Sequence, residues 1–161
     1  MKIEPITFEQ QTAIEEKIEQ LKKIKDCSMS PKELADIITE RRVSWMLGHT
    51  ELLEKYETLT PVRKAHNIIF LDYMGRNPDY SKAKRIQPLA LRINSHNFCP
   101  YLIACEKLDL DTRFVCKEIL EPSVREMCRM IHPKLTFMRD YEKGLRPYHP
   151  EFCREYIISR F

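Results

Sequence analysis

The sequence lacks the short motifs that mark the common catalytic and cofactor-binding sites. It contains no CxxC pair, no phosphate-binding loop, no GxSxG nucleophile motif and no glycine-rich dinucleotide fingerprint. No stretch reaches the ~18 consecutive apolar residues of a membrane span. The first residues also lack the basic segment followed by an apolar run that marks a secretion signal. These absences predict a cytoplasmic protein that contacts no membrane and whose chemistry follows no common motif.

The composition is that of an ordinary globular domain. With 161 residues, 43% of them hydrophobic and 32% charged, the chain is long enough to bury a core, and we predict a single domain over 1–161. Six cysteines, at positions 27, 99, 105, 116, 128 and 153, are more than average. Because cytoplasmic thiols stay reduced, they are interpreted as core residues, metal ligands or nucleophiles rather than as disulfides.

The net charge of +3 is unevenly distributed along the chain. Residues 61–100 hold seven Lys or Arg against two Asp or Glu, whereas residues 1–60 hold nine against twelve. A local excess of positive charge attracts anionic ligands. The excess is smaller than in most nucleic-acid-binding domains, so we expect a small anionic substrate or ligand and no nucleic acid.

Apolar spacing and capping signals predict three helices in residues 1–76. Apolar residues recur every three or four positions in 8–25, the pattern of a helix with one buried stripe. The segment Ser30-Pro31-Lys32-Glu33 forms a capping box and predicts a second helix that continues to about Glu57. The third helix begins after Thr60 and ends at Gly75, a left-handed C-cap. The first two helices are candidates for a homo-oligomer or partner surface.

The stretch 91–116 contains the strongest candidate site. Cys99 directly precedes a proline, which favours the first position of a helix, so Cys99 is predicted to be the N-cap. Unpaired N–H groups and the positive end of the helix dipole stabilise a thiolate at that position, which would make Cys99 the most readily alkylated thiol. His96, three residues earlier, is the candidate base. The candidate substrate-binding residues in this stretch are Asn94, Asn97 and Arg92.

Alternating apolar residues predict three strands in 77–161. The alternation runs through 85–93, 134–141 and 152–159, whereas the polar segment 77–84 is predicted to be a loop. The strands at 134–141 and 152–159 place Arg139 and Cys153 on neighbouring strands.

Short helices are predicted between these strands, at 100–107 and at 113–120, with Pro122-Ser123 ending the second one. We therefore predict an α+β fold. Its helical N-terminal half, 1–76, packs on a small three-stranded antiparallel sheet with short helices inserted, and the region 77–161 carries the cysteine site.

Four segments follow one another in the C-terminal half: NFCPYLIAC, LDTRFVC, HPKLTFMRDYEKG and EFCREYI. In this order they resemble the L-2-amino-thiazoline-4-carboxylic acid hydrolase-like family over about 91–158. The site residues that the resemblance implies are Cys99, Cys116, Cys153 and the strand arginine Arg139. The chain departs from the family pattern after the middle cysteine, at 117–119, and before the last one, at 150–152.

Two chemistries fit these residues. In the first, Cys99 is a nucleophile and His96 its base. In the second, three thiolates and one imidazole hold a zinc ion or another transition metal, with Cys99, Cys116, Cys153 and His96 as the ligands. The spacing argues against zinc, because structural zinc sites draw their ligands in close pairs.

Two classes of function follow from the candidate site. One is a small hydrolase that acts on a C–N or C–S bond of an amino-acid-like anion, with Arg139 and Arg92 binding its carboxylate. The other is a sensor or interaction module without catalytic activity, in which the cysteines bind a metal or a small ligand.

Overall fold

The computed structural model describes residues 3–149 and 151–160, and it has the predicted α+β fold. The α-helices are α1 (Phe8–Lys25), α2 (Pro31–Leu47), α3 (Glu51–Lys55), α4 (Pro61–Ala65), α5 (Pro100–Leu108), α6 (Thr112–Phe114) and α7 (Glu121–Ile131). Two π-helical segments, His66–Tyr73 and Val115–Leu120, continue α4 and α6. The strands are β1 (Ser81–Gln87), β2 (Ala90–Ser95), β3 (Leu135–Arg139) and β4 (Cys153–Ser159). No helix in the described residues combines the length and apolar character that a bilayer crossing needs.

The capping box predicted for the second helix is confirmed, and the first helix has a capping box that was not predicted from the sequence. Thr7 and Gln10 form a capping box at the start of α1, and Ser30 and Glu33 form the predicted one at the start of α2. In each box the cap hydroxyl accepts from the N3 backbone N–H, while the N3 side chain accepts from the cap N–H. Gly75 has the predicted left-handed conformation, with φ +63°.

The predicted continuation of α2 to about Glu57 is wrong. The helix ends at Leu47, and the chain turns before it begins α3. The Gly48 N–H bonds to the carbonyls of both Ser44 and Trp45, and the His49 ring nitrogen Nδ1 lies 2.7 Å from the Trp45 oxygen. Glycine is a poor helix former, and a side chain that bonds to a backbone carbonyl competes with the next helical turn.

The helix predicted to stop before Pro122 instead continues into α7. Pro122 lies in the first turn of α7. A backbone N–H in the first turn of a helix has no acceptor within that helix, so proline, which lacks this N–H, is tolerated there. The Ser123 hydroxyl donates a hydrogen bond to the Leu120 carbonyl at 2.7 Å.

The sheet has four antiparallel strands in the order β1-β2-β4-β3, so the predicted count of three is too low. The segments predicted as a loop at 77–84 and as one strand at 85–93 form a hairpin instead, with Pro88 in its turn. The missed strand, β1, lies at the sheet edge and is mostly exposed, so it lacks apolar alternation.

The two C-terminal strands pair as expected. Arg139 of β3 lies opposite Glu155 of β4, which places Cys153 two residues along the neighbouring strand. The prediction that Arg139 and Cys153 lie on neighbouring strands is confirmed.

Two clusters of buried apolar side chains form the core. The first joins α4, the following π-helical segment and α7 to the inner face of the sheet, through Phe70, Ile93, Phe137 and Ile157. The second lies between α1, α2, α5 and the second π-helical segment, and it includes Leu21, Leu34, Ala104 and Ile119. Each cluster draws side chains from both 1–76 and 77–161, so the two regions share a core.

We expect Gly144→Ala to destabilise the protein by about 1 to 3 kcal/mol, the usual cost of overpacking. A Cβ at position 144 would lie 2.6 Å from the Arg154 Cβ and 3.3 Å from the Arg154 backbone nitrogen. The matched control is Gly48→Ala, whose new Cβ would meet no atom closer than 3.6 Å. Because Gly48 has right-handed helical angles, alanine there should stabilise by about 0.4 to 1 kcal/mol. Urea denaturation of both variants measures the two effects, and equal midpoints would contradict this account.

Candidate functional site

A cavity of about 420 Å³ lies where α1, α2, α5 and the second π-helical segment meet the sheet. Its volume is within the range of small-molecule sites. The cationic side chains in its lining are Lys17, Arg41, Arg42, Arg76, Arg139 and Arg146. Among the described residues Glu155 is the only carboxylate in that lining, so the cavity has a large excess of positive charge.

The three cysteines singled out in the sequence meet in this cavity. Cys99, Cys116 and Cys153 all line it, and each is partly accessible. They come from the start of α5, the second π-helical segment and the start of β4, so three separate elements deliver one thiol each. The prediction that these thiols share a cavity is confirmed.

Cys153 has the most direct contact with a cation. The backbone N–H of Arg146 lies 3.4 Å from its sulfur, and the Arg146 Nε lies 3.5 Å from it. Arg146 is buried and held in place by a second bond, from Nη2 to the Asn97 carbonyl at 2.9 Å. Burial lowers the pKa of Arg146, but the contact with Cys153 raises the pKa above its ordinary value. The backbone N–H and the guanidinium Nε–H of Arg146 therefore each donate a hydrogen bond to this sulfur, and the guanidinium places a positive charge beside it.

Cys99 is the N-cap of α5, as expected, but its thiol makes no capping hydrogen bond. The Ile103 N–H bonds instead to the Cys99 carbonyl, at 3.4 Å. The expected contacts between helix N–H groups and the Cys99 sulfur are therefore not formed.

The other thiols differ in accessibility. Burial raises the pKa of Cys116 above its ordinary range. Burial also raises the pKa of Cys105 and of Cys128 to about 12 each, and both side chains lie in the core. These two belong to the packing, as small apolar side chains do.

Three predicted site residues lie outside the cavity lining: His96, Asn94 and Arg92. His96 is buried, and its ring meets the Tyr80 ring edge-on with centroids 5.5 Å apart. Asn94 accepts a hydrogen bond from the Arg154 Nε at 3.2 Å. Strand β2 extends to Ser95, so the alternation of side chains puts Ser95 on the cavity face, and Arg92 and Asn94 on the other. The predicted strand, 85–93, ended two residues before the end of β2.

An ion-pair network supports the sheet side of the cavity. The Glu155 carboxylate accepts from the Arg76 Nη1 at 2.7 Å, from the Arg139 Nε at 3.2 Å and from the Ser95 hydroxyl at 3.2 Å. Burial alone would raise the pKa of Glu155, but the two guanidinium groups and the Ser95 hydroxyl lower the pKa to about 2. Glu155 is therefore an ionised structural group and not a proton acceptor at neutral pH.

Two buried guanidinium groups in the lining have unpaired N–H groups. Arg139 Nη1, and Arg42 Nε and Nη1, find no hydrogen-bond acceptor among the described residues. Buried donors are nearly always paired in folded proteins. These N–H groups therefore mark places where the cavity can receive an anionic ligand.

The second chemistry considered from the sequence was a metal site held by Cys99, Cys116, Cys153 and His96. Among residues 3–149 and 151–160, no three His, Cys, Asp or Glu side chains are arranged to share a metal ion. Cys99, Cys116 and Cys153 lie among arginines, and His96 is outside the lining. The donor set predicted for zinc does not fit a metal here.

Sequence reasoning missed Arg76, Arg146 and Glu155, and it did not assign Arg42 to the site. A signal existed for Arg42, because the apolar stripe of α2 contains an arginine at the position of a core residue. The place of Glu155 in the site was not predicted, because the apolar alternation at 152–158 falls on the less buried face of β4. The buried face carries Glu155, Ile157 and Ser159.

Comparison with protein-family models, curated proteins and solved structures finds no match for this chain. The resemblance drawn from the C-terminal cysteines stays a prediction. The functional argument therefore depends on the side chains that line the cavity.

We expect Glu155→Gln to destabilise the protein by about 3 to 5 kcal/mol at pH 7, because it leaves Arg76 and Arg139 buried without their counter-charge. The pKa of Glu155 is lowered in the folded protein, to about 2 from its ordinary 4.5. Its ionised form therefore stabilises the fold above about pH 4.5, and this contribution disappears as the pH falls towards 2.

Chemical denaturation at several pH values measures both effects. The variant should lose the part of the acid sensitivity that Glu155 causes, whereas the exposed control Glu142→Gln should behave like the parent protein. A Glu155→Gln variant as stable at pH 7 as the parent would contradict the account.

Proposed function

We propose that the protein is a small thiol-dependent hydrolase that acts on a C–N or C–S bond of an amino-acid-like anion. The observation that carries the proposal is the pair of hydrogen bonds from Arg146 to the Cys153 sulfur, at 3.4 and 3.5 Å, inside a cationic cavity. A nucleophilic cysteine needs a positive field to populate its thiolate at neutral pH. Arg146 supplies that field without a histidine.

The charge of the cavity supports an anionic substrate. Six cationic side chains face one carboxylate, and that carboxylate is already paired with Arg76 and Arg139. Arg139 keeps Nη1 free of any acceptor among the described residues, and it lies on the strand next to Cys153. We assign this N–H to the substrate carboxylate, the role that the sequence predicted for Arg139.

The proposed reaction adds water across the bond in two steps. The Cys153 sulfur attacks the electrophilic carbon, an S–C bond forms, and the C–N or C–S bond breaks. The proton of the thiol ends on the departing nitrogen or sulfur. Water then attacks the same carbon, its hydroxyl stays on that carbon, and the S–C bond breaks. The other proton of the water restores the thiol, so neither an oxidant nor a reductant is needed.

The family resemblance favours the hydrolase over other thiol chemistry. The cysteines that it implies are the three that share the cavity, and its arginine is Arg139. Within that set the contacts favour Cys153 as the nucleophile over Cys99, because Arg146 donates hydrogen bonds to the Cys153 sulfur, whereas the Cys99 thiol makes no capping bond. Cys99 and Cys116 then shape the cavity around the reacting carbon.

A second candidate function is a small-anion binding module without catalytic activity. One observation favours it: no histidine among the described residues lines the cavity, and Glu155 is held ionised in its ion pairs. A hydrolase usually needs a group that transfers protons. A binding module would use the same arginines and leave Cys153 as a hydrogen-bond acceptor.

We expect Cys153 to be alkylated by iodoacetamide fastest among the six thiols, because the Arg146 guanidinium lies beside its sulfur. Arg146→Gln should slow this alkylation by about tenfold or more, as it removes the charge beside the sulfur. Timed labelling followed by peptide mass spectrometry measures each cysteine separately. The buried Cys128 is the internal control and should stay unlabelled in the folded protein.

Hydrolysis is tested with a panel of amino-acid-derived amides, thioesters and cyclic thiazolines. Cys153→Ala should abolish turnover of any substrate found, and Cys99→Ser should retain most of it. If Cys99 is instead the fast thiol and Cys153→Ala keeps full activity, the nucleophile assignment is wrong. Anion binding with slow labelling at both thiols and no turnover would favour the binding module.

A further inference from the structure

Arg42 is the least compensated charge in the cavity. It lies on α2, only 8% of its surface is exposed, and it lines the cavity. Its Nε and Nη1 are buried and have no acceptor among the described residues. Its guanidinium group faces the Tyr73 ring at 5.6 Å, which orients the group without neutralising it.

The surroundings of Arg42 add positive charge instead of removing it. Lys17 and Arg41 line the same side of the cavity, and no ion pair between described residues involves either of them or Arg42. Burial lowers the pKa of Lys17. Glu16 opposes that shift, and Arg42 and Arg41 add to it. Burial also lowers the pKa of Arg42. These shifts agree with cations that lie close together, of which Arg42 is buried, Lys17 half-buried and Arg41 exposed.

Such a cluster destabilises the empty protein, because a buried charge without a partner is expensive. A bound oxyanion removes that penalty. A guanidinium N–H group donates a charge-assisted hydrogen bond to an oxygen of a carboxylate or a phosphate. Arg42 has two such donor atoms, Nε and Nη1, without a partner among the described residues.

We propose that Arg42, with Lys17 and Arg41, forms a second oxyanion subsite, so that the substrate carries two anionic groups. Arg42 stands on the helical wall of the cavity, whereas Arg139 and Cys153 stand on the sheet wall. A substrate with one carboxylate at Arg139 and a second oxyanion at Arg42 would hold its reactive bond near Cys153. The orientation of such a substrate rests on the proposed function, but the subsite itself stands on the unpaired Arg42.

Simple anions test the subsite. Acetate, succinate, glutarate and phosphate are titrated at constant ionic strength, with the thermal midpoint and Trp45 fluorescence as readouts. Trp45 is the only tryptophan, and its ring lies 4.9 Å from the Tyr73 ring that Arg42 faces. We expect at least one of the two dicarboxylates, or phosphate, to bind about tenfold or more tightly than acetate, the effect of one extra charged contact.

Arg42→Gln should remove this preference while leaving the weak binding of acetate at Arg139. It should also raise the thermal midpoint of the protein without added anion, because it removes an uncompensated buried charge. An Arg42 needed only for packing would give the opposite shift. The matched control is Arg85→Gln on the exposed β1, which changes the net charge equally and should leave both readouts unchanged.

Lys17→Gln is the second variant, in case Arg42→Gln fails to fold, and it should weaken the preferred anion by a smaller factor. Loss of phosphate binding in the variants would indicate a phosphate-type group, and loss of dicarboxylate binding a second carboxylate. The inference is overturned if no dianion binds more tightly than acetate, or if the variants keep the preference. Either result would leave the labelling of Cys153 unchanged. A failure of the hydrolase proposal would differ, because Cys153 would then be unreactive while dianion binding persisted.

Discussion

The buried Glu155 carboxylate between Arg76 and Arg139 is the interaction on which the cavity depends. It is 1% exposed and it joins the segment that follows the first π-helical turn to both β3 and β4. Removing charged groups from water costs free energy. The attraction between Glu155 and the two arginines offsets this cost only when every partner is in place. The Ser95 hydroxyl completes the set, so β2 is tied to the same point. The sheet wall of the site is thereby fixed by electrostatics as much as by apolar packing.

Glu155 is the one carboxylate among the described residues of the cavity lining, so the other cations there have no carboxylate counter-charge in the lining. Arg146 is satisfied by the Asn97 carbonyl and the Cys153 sulfur, whereas Arg42 has no carboxylate partner among the described residues. A fold selected for stability alone would place an apolar residue on the buried stripe of α2. The fold therefore retains a charge that weakens the empty protein, which is typical of residues kept for binding.

The sequence predicted the elements better than it predicted the site. The capping box of α2 and the pairing of Arg139 with the strand of Cys153 follow from local patterns, because a cap or a strand alternation is specified by residues close in sequence. The meeting of Cys99, Cys116 and Cys153 was anticipated from the family resemblance of the C-terminal half. The roles within the cavity were not, because Arg42, Arg76 and Arg146 come from distant segments and only packing brings them together.

The register of β2 shows the limit most clearly. The predicted strand 85–93 ended before Asn94 and Ser95, so the prediction did not place Ser95 on the cavity face and Asn94 on the opposite one. A shift of one residue exchanges the two faces of a strand. Arg146 had no signal at all, since it lies in an irregular segment where no periodicity applies.

The two π-helical segments have an evolutionary consequence. Each contributes to the cavity lining, Tyr73 from the first, Cys116 and Leu120 from the second. A π-helical turn is equivalent to an α-helix that has gained one residue, and such turns concentrate at functional sites. Deleting one residue from such a segment would restore ordinary helix there and change which side chains the wide turn presents, while the flanking turns keep their register. Homologues that lack the extra residue at either place would keep the fold but present a different cavity wall. The length of these two segments would therefore distinguish homologues that bind different ligands.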